Sequence, residues 1–233
     1  MTSAATGGVR QIDANFDGKM DQWEHFTEDG KRLLIEYDKN HDGSIDQRDI
    51  YDTNETVIRA EIDANFDKQM DRFQFYSKDG KNIRVEMDTN FDGRIDRKEF
   101  FDDTEIVYKI ALDQDLDGQM DVWRFFNKNS ILIRVEYDSN GNGKADRWDF
   151  FNENGALARA AFDTNEDQKP DQWQYFINSP IPQKLEFDVN HDGKADRWEF
   201  LDPSGNVVRI ERDRNFDGKI DLKENKEDVD EPS

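Results

Sequence analysis

The sequence predicts an all-β repeat protein, an open array of about eight β-hairpins joined by short acidic loops. Two observations predict this architecture: an aspartate that recurs every 25 residues, and connecting segments whose polarity alternates with the period of a strand. Nine aspartates without a slip in spacing indicate a repeat protein. The repeated aspartates are Asp13, Asp38, Asp63, Asp88, Asp113, Asp138, Asp163, Asp188 and Asp213.

Each segment between two loops has the pattern of a β-hairpin. The stretches "ILIRVEY" at 131–137 and "RWDFF" at 147–151 alternate in polarity and are rich in β-branched and aromatic residues, which is typical of strands. A turn signal such as "KDG" at 78–80 or "ENG" at 153–155 lies between the two strands of a segment. We expect a three-residue connection, a type I turn followed by a left-handed glycine.

That turn predicts one wholly apolar face and one charged face, because it sets Trp123 and Phe125 opposite aliphatic residues such as Val135. Cross-strand ion pairs are expected on the charged face, between a basic row and an acidic row. The basic row is Arg59, Arg84, Lys109, Arg134, Arg159, Lys184 and Arg209, and the acidic row is Glu36, Glu61, Glu86, Glu136, Glu186 and Glu211. Aromatic residues at repeat position 14, such as Phe26 and Tyr51, are also expected on the charged face, covered by neighbouring hairpins.

A weaker period of 50 overlies the period of 25, since odd copies carry Met20 or Met70 at a position where even copies carry Ile45 or Ile95. Two arrangements explain this difference. Odd and even hairpins could form two facing layers with aromatic residues between them, or four-stranded blades could close into a four-bladed β-propeller. The last copy, "DLKENKED", lacks the aromatic residues of a closing strand, which favours the open array.

Each loop follows the pattern D-x-[ND]-x-D-G-x-x-D. The first and ninth residues are always Asp, the third is Asn except for Asp115, and the fifth is Asp except for Asn142. Glycine is sixth in seven copies, and Lys68 and Gln168 replace it in the other two. The pattern matches an EF-hand loop, but the 13 residues between the twelfth position and the next loop are too few for the two helices that an EF-hand needs.

Three carboxylates in one short loop repel one another unless a cation lies between them. A preference for Asp and Asn as turn residues does not explain four fixed positions. Hard oxygen ligands on a flexible loop favour Ca²⁺ over Mg²⁺ and Zn²⁺. The sequence therefore predicts up to nine Ca²⁺ sites, with the third and seventh weakened because Lys68 and Gln168 stand in place of glycine.

The helix-free pattern resembles the calcium loops of the integrin-α (FG-GAP) propellers and of thrombospondin type 3 repeats. The resemblance implies that the first, third, fifth and ninth side chains and the seventh backbone carbonyl bind Ca²⁺, and an acidic twelfth residue is a further candidate. The candidate ligands are Asp13, Asn15, Asp17, Lys19, Asp21 and Glu24; Asp38, Asn40, Asp42, Ser44, Asp46 and Asp49; Asp63, Asn65, Asp67, Gln69 and Asp71; Asp88, Asn90, Asp92, Arg94, Asp96 and Glu99; Asp113, Asp115, Asp117, Gln119 and Asp121; Asp138, Asn140, Asn142, Lys144, Asp146 and Asp149; Asp163, Asn165, Asp167, Lys169 and Asp171; Asp188, Asn190, Asp192, Lys194, Asp196 and Glu199; and Asp213, Asn215, Asp217, Lys219, Asp221 and Glu224.

The net charge of −22 disfavours nucleic acid and anionic membranes as partners. The chain has no cysteine, only three histidines and no recognisable catalytic pattern, so we expect no enzyme. We expect a calcium-rigidified structural or adhesion protein, acting as a spacer, a fibre component or a surface interaction module. A calcium-dependent lectin-like module is the alternative. Loops of this type bind Ca²⁺ at extracellular concentrations, which predicts a secreted, periplasmic or cell-surface protein.

The expected domain organisation is a disordered leader over 1–8, the nine-copy array over 9–224 and an acidic tail over 225–233. We expect a protein or surface partner and no membrane insertion. The ends of the array, "GVRQID" and "DLKE", each resemble part of a hairpin, so end-to-end self-association is a further expectation.

Overall fold

The computed structural model describes residues 7–226, and these residues contain eighteen β-strands and no α-helix. Residue contacts divide the chain into two units, 1–118 and 119–233. The first unit contains β1 (Val9–Ile12), β2 (Gln22–Phe26), β3 (Arg32–Tyr37), β4 (Gln47–Tyr51), β5 (Val57–Ile62), β6 (Arg72–Tyr76), β7 (Asn82–Met87), β8 (Arg97–Phe101) and β9 (Val107–Leu112). The second contains β10 (Val122–Phe126), β11 (Leu132–Tyr137), β12 (Arg147–Phe151), β13 (Leu157–Phe162), β14 (Gln172–Tyr175), β15 (Lys184–Phe187), β16 (Arg197–Leu201), β17 (Val207–Arg212) and β18 (Leu222–Asn225).

The domain boundaries stay a prediction, since most of the expected leader and tail, residues 1–6 and 227–233, lie outside the described residues. None of the described residues belongs to a helix of the length and apolarity that crossing a bilayer requires.

Within each unit the strands pair antiparallel in chain order, each with the strand before it and the strand after it. This pairing confirms the open array of hairpins. It excludes the four-bladed propeller, because the pairing within a unit continues without a break where separate four-stranded blades would have to end. The expectation of two facing layers is also wrong, since odd and even hairpins are hydrogen-bonded side by side in one sheet.

The predicted turn is confirmed. Between β2 and β3 the Thr27 N–H donates to the Lys31 carbonyl over 2.7 Å, and the Gly30 N–H donates to the Thr27 carbonyl over 3.0 Å. Gly30 has a φ of +84°, a conformation that glycine adopts without steric cost. The connection is therefore a three-residue turn that ends in a left-handed glycine.

A β-bulge next to the turn changes the register that the turn alone would give. Phe26 pairs with Arg32, but His25 pairs with Leu34, so Leu33 is an extra residue in its strand. The same shift recurs in the hairpins β4–β5, β6–β7, β8–β9, β10–β11, β12–β13 and β16–β17. An extra residue moves all the following pairs by one position, and the two faces exchange partners.

The expected apolar face is therefore wrong: Trp123 pairs with Glu136 and Phe125 pairs with Arg134. The physical reason lies across the acidic loop, where Glu136 also pairs with Trp148 of the next copy. Without the bulge, successive copies would place the position of Trp123 and Trp148 on alternate faces of the sheet. The bulge keeps this position on one face in every copy.

Both faces of the sheet are consequently mixed in polarity. One face carries the aromatic residues of repeat positions 11 and 13, such as Trp123 and Phe125, between the basic and acidic rows. On this face the Arg84 guanidinium lies 4.1 Å from the centre of the Phe75 ring. The aromatic residues of position 14 lie on the opposite face, so their expected place on the charged face is also wrong. On that face the Arg32 guanidinium lies 5.3 Å from the centre of the Tyr51 ring.

The basic and acidic rows do form ion pairs, but these pairs run along one strand, and the expected cross-strand arrangement of the two rows is wrong. Arg59 pairs with Glu61 over 3.0 Å and Arg134 with Glu136 over 3.0 Å. A cross-strand pair joins Arg48 to Glu36 over 3.1 Å. These side chains are partly exposed, and such pairs contribute only about 0–1 kcal/mol each.

The buried apolar core is thin. It consists mainly of single small aliphatic residues in the sheet, such as Ile35, Val85 and Val135. Most of the buried polar residues are loop aspartates, and Asp46 is only 1% exposed. The stability of the fold therefore depends heavily on what these aspartates bind.

Candidate metal centre

The acidic loops of each unit lie along one edge of its sheet, and the three-residue turns lie along the opposite edge. Strands alternate in direction, so every second connection returns to the same edge. Loops one to four connect β1–β2, β3–β4, β5–β6 and β7–β8 in the first unit, and loops six to nine connect β11–β12, β13–β14, β15–β16 and β17–β18 in the second.

The first, third and fifth side chains of a loop fold inward onto its backbone. In the fourth loop the Asp92 N–H donates to Asp88 Oδ1 over 3.2 Å and to Asn90 Oδ1 over 3.0 Å. The Gly93 N–H donates to Asp88 Oδ2 over 2.7 Å, and the Arg94 N–H donates to Asp92 Oδ1 over 2.9 Å. Oxygens of the first and third side chains therefore converge on one N–H group.

This convergence recurs in all nine loops. In every copy the fifth N–H donates to both the first and the third side chain. The sixth N–H donates to the first carboxylate in every copy as well. Asp and Asn are suited to such local bonds because their short side chains reach backbone groups two to five residues away.

The ninth aspartate holds the start of the loop. In the fourth copy Asp96 Oδ2 accepts from the N–H groups of Thr89, over 2.8 Å, and Asn90, over 3.2 Å. The Asp96 N–H donates to the Met87 carbonyl over 3.0 Å, which closes the loop at its base. This aspartate is buried, whereas the fifth residue of the loop, Asp92, is exposed.

Two left-handed residues shape each loop. The sixth position is one of them, as its glycine predicts, with a φ of +90° at Gly93. The fourth position is the other, with a φ of +62° at Phe91 and +63° at His41. The left-handed conformation of the fourth position was not predicted, because the residue types at this position vary and only Gly141 gives a signal of it.

Loops three and seven keep the same geometry without glycine. Lys68 and Gln168 adopt φ values of +80° and +72°. Their N–H groups still donate to Asp63 and Asp163, each over 2.7 Å. The cost of lacking glycine is therefore backbone strain and not a lost contact.

We expect Lys68→Gly to raise the free energy of unfolding by about 0.5–1 kcal/mol, because a non-glycine residue in the left-handed region is strained. The measurement is urea unfolding at saturating calcium. Gly43→Lys is the matched control and should lower the free energy of unfolding by a similar amount. A Cβ atom at Gly43, where φ is +89°, meets nothing within 4 Å, so only the backbone is tested. An unchanged midpoint in both variants would contradict the strain argument.

The electrostatics of a loop favour a bound cation. Burial raises the pKa of Asp71, and the nearby carboxylates Asp63 and Asp67 also raise it, against the lowering effect of hydrogen bonds from the N–H groups of Ala64 and Asn65. In the fifth loop, carboxylate oxygens of Asp113, Asp115 and Asp117 lie within 4.8 Å of one another. The other copies place an Asn oxygen at the third position. These hard oxygen donors fit Ca²⁺.

Neighbouring loops of one unit are linked. The Asp38 N–H donates to the Asp21 carbonyl over 2.8 Å, and His41 Nδ1 lies 2.9 Å from Asp21 Oδ1. The hydrogen bond to Asp21 raises the pKa of His41. Burial acts to raise the pKa of Asp21, but hydrogen bonds from His41 and from the Ala14 and Asn15 N–H groups outweigh it, and that pKa is lowered.

The acidic residues at position twelve lie in the strands and are engaged there. Arg97 Nε donates to Glu99 over 2.9 Å, Arg147 forms a two-point contact with Asp149, and Gln47 donates to Asp49 over 2.6 Å. Glu24, Glu199 and Glu224 likewise contact Gln22, Arg197 and Arg212. The role of these carboxylates as calcium ligands stays a prediction, as does that of the seventh carbonyls.

The EF-hand family model (EF-hand_5) matches residues 86–100, which contain the fourth loop. The match supports calcium binding at an EF-hand-like loop, as does the Asp113–Asp115–Asp117 cluster. No curated protein sequence matches the chain.

Similar solved structures share little with the chain. The accessory secretory protein 1, 2 and 3 structure from Streptococcus pneumoniae is 12% identical with a TM-score of 0.34, over 46% of this chain and 19% of that one. A TarM structure is 14% identical with a TM-score of 0.27, over 55% and 19% of the two chains. A TcdB2–TccC3 structure is 11% identical with a TM-score of 0.24, over 94% and 12%. The chain thus matches less than a fifth of each of these proteins, and such scores assign no function.

Proposed function

We propose that this protein is a calcium-rigidified structural or adhesion repeat protein that works outside the cytosol as a spacer, fibre component or surface interaction module. The observation that carries the proposal is the convergence of the first and third side-chain oxygens, which recurs in all nine loops. The loops would act as helix-free calcium sites, similar to those of the integrin-α and thrombospondin type 3 families. We assign no catalytic role.

The magnitude of calcium binding supports a structural role. If free Ca²⁺ exceeds the dissociation constant tenfold, one site stabilises the fold by about 1.4 kcal/mol, and nine sites by roughly 13 kcal/mol. That sum is comparable to the whole stability of a typical domain. Sites of extracellular modules bind in roughly the 0.1–1 mM range, which supports a location where calcium is abundant.

The test is the number of bound calcium ions, measured by equilibrium dialysis or isothermal titration calorimetry. We expect up to nine ions per chain. Asp88→Ala should remove one of them, because alanine lacks the carboxylate of the first ligand. The N–H groups of Asp92 and Gly93, which donate to that carboxylate, also lose their acceptor. Asp103→Ala is the matched control: it removes the same charge from an exposed turn and should leave the number unchanged. A chain that binds no calcium, or an equal loss in both variants, would refute the proposal.

A further inference from the structure

A pocket on the sheet of the first unit lies outside the calcium loops. It is a cleft of about 440 Å³ over β4, β5 and β6. Ala60 and Ile62 form its apolar floor, and Gln47, Asp49, Gln74 and Tyr76 form its polar wall. Polar groups that converge over an apolar floor are typical of small-molecule sites.

The pocket exists because two residues are smaller than their equivalents in other copies. Ala60 stands where the neighbouring copies have Ile35 and Val85. Gln47 stands where other even copies have arginine, and Arg147 there makes a two-point contact with Asp149. On the face of β4 that carries Asp49, a glutamine therefore stands where other even copies have an arginine.

The sixth copy of the repeat provides an internal comparison. Ala160 lies between Asp149 and Gln174, as Ala60 lies between Asp49 and Gln74. In the sixth copy, however, Arg147 bonds to Asp149. The tyrosine is also replaced, since Phe176 stands 100 residues after Tyr76. The polar groups of the first pocket are thus not a general property of the repeat.

The pocket offers both a donor and an acceptor. With the Gln74 amide oriented to satisfy both of its neighbours, its oxygen accepts from Arg72 over 2.8 Å and its nitrogen donates to the Tyr76 hydroxyl over 2.7 Å. The proton of that hydroxyl is then available to a ligand. Burial raises the pKa of Tyr76, and Asp49 raises it further, so the hydroxyl stays protonated. Asp49 accepts from Gln47 over 2.6 Å through one oxygen, and a carboxylate has further acceptor sites.

We propose that this pocket binds a small neutral carbohydrate, with hydroxyl groups on Asp49 and Tyr76 and a C–H face on Ala60 and Ile62. The site has one carboxylate, on Asp49, and one guanidinium, on Arg72, which is bonded to Gln74. These charges balance, so the site favours a ligand without net charge. Of the pocket residues, Asp49 is also a candidate calcium ligand, at position twelve of the second loop. The calcium count of each variant therefore separates this inference from the calcium proposal.

The test is saturation-transfer NMR with the methyl glycosides of glucose, galactose and mannose, and with choline as a cationic comparison. We expect transfer to at least one glycoside and none to choline. Tyr76→Phe should weaken that binding about tenfold, as the loss of one hydrogen bond to the ligand does. Gln47→Arg should abolish it, because the arginine reproduces the contact made by Arg147 to Asp149.

The matched pair is Ala60→Val and Ala160→Val. The first should fill the pocket and abolish transfer, and the second should leave transfer unchanged. Valine is accommodated at this position in other copies, as Val85 and Val135 show. Circular dichroism and the calcium count of each variant confirm folding separately. No transfer to any glycoside, transfer to choline, or equal transfer in both valine variants would overturn the proposal.

Discussion

Chelation of calcium with EDTA should unfold the protein, wholly or from the ends inward. Each site then loses about 1.4 kcal/mol, while each strand contacts mainly its neighbours, so stability is a sum of local terms. The carboxylates of a loop are left facing one another, and the thin core contains few aliphatic residues, such as Ile35 and Val85. Small-angle scattering should show an expanded particle, and loop peptide bonds should become accessible to proteases.

Restoring calcium should reverse both changes. Magnesium at equal concentration is the control and should rescue the fold poorly, because the small ion demands octahedral geometry and keeps its waters. Tryptophan fluorescence should change only moderately, since Trp123 and Trp148 are half-buried in the folded sheet. A chain that stays compact and protease-resistant in EDTA would show that the fold is self-sufficient and that calcium has no structural role.

Replacing a buried ninth aspartate should have the largest effect of any single loop substitution. Asp46 is 1% exposed, and its Oδ2 accepts from the N–H groups of Lys39, over 2.6 Å, and Asn40, over 3.0 Å. Asp46→Ala leaves both donors without this acceptor and should lower the free energy of unfolding by about 3 kcal/mol, since a hydrogen bond to a charged group contributes about 1.5–3 kcal/mol. The measurement is urea unfolding at saturating calcium.

Two controls separate the causes of that loss. Asp46→Asn keeps an oxygen for the two N–H groups and should cost clearly less than alanine. Asp42→Ala removes an exposed carboxylate of the same loop, which accepts from the Ser44 N–H over 2.7 Å, and should cost about 1 kcal/mol. Equal losses at Asp46 and Asp42 would mean that burial of the ninth aspartate has no energetic consequence.

The loops were predictable from the sequence because their geometry is local. The first, third, fifth and ninth side chains bond to N–H groups two to seven residues away, so a fixed spacing of residue types is enough to reveal them. The three-residue turn at Gly30 follows for the same reason. The left-handed conformation of the fourth loop position could not be predicted from the sequence, because side chains as different as Phe91 and His41 adopt the same positive φ.

The repeat, the all-β hairpins, the acidic loops and the turn could thus be predicted from the residue pattern. The register could not, because the bulge at Leu33 depends on pairing on both sides of a strand and not on the turn alone. The same holds for the side-by-side arrangement of the hairpins in one sheet within each unit, and for the pocket that Ala60 opens between Asp49 and Gln74. These features depend on contacts between different copies of the repeat, which a period of 25 residues cannot specify.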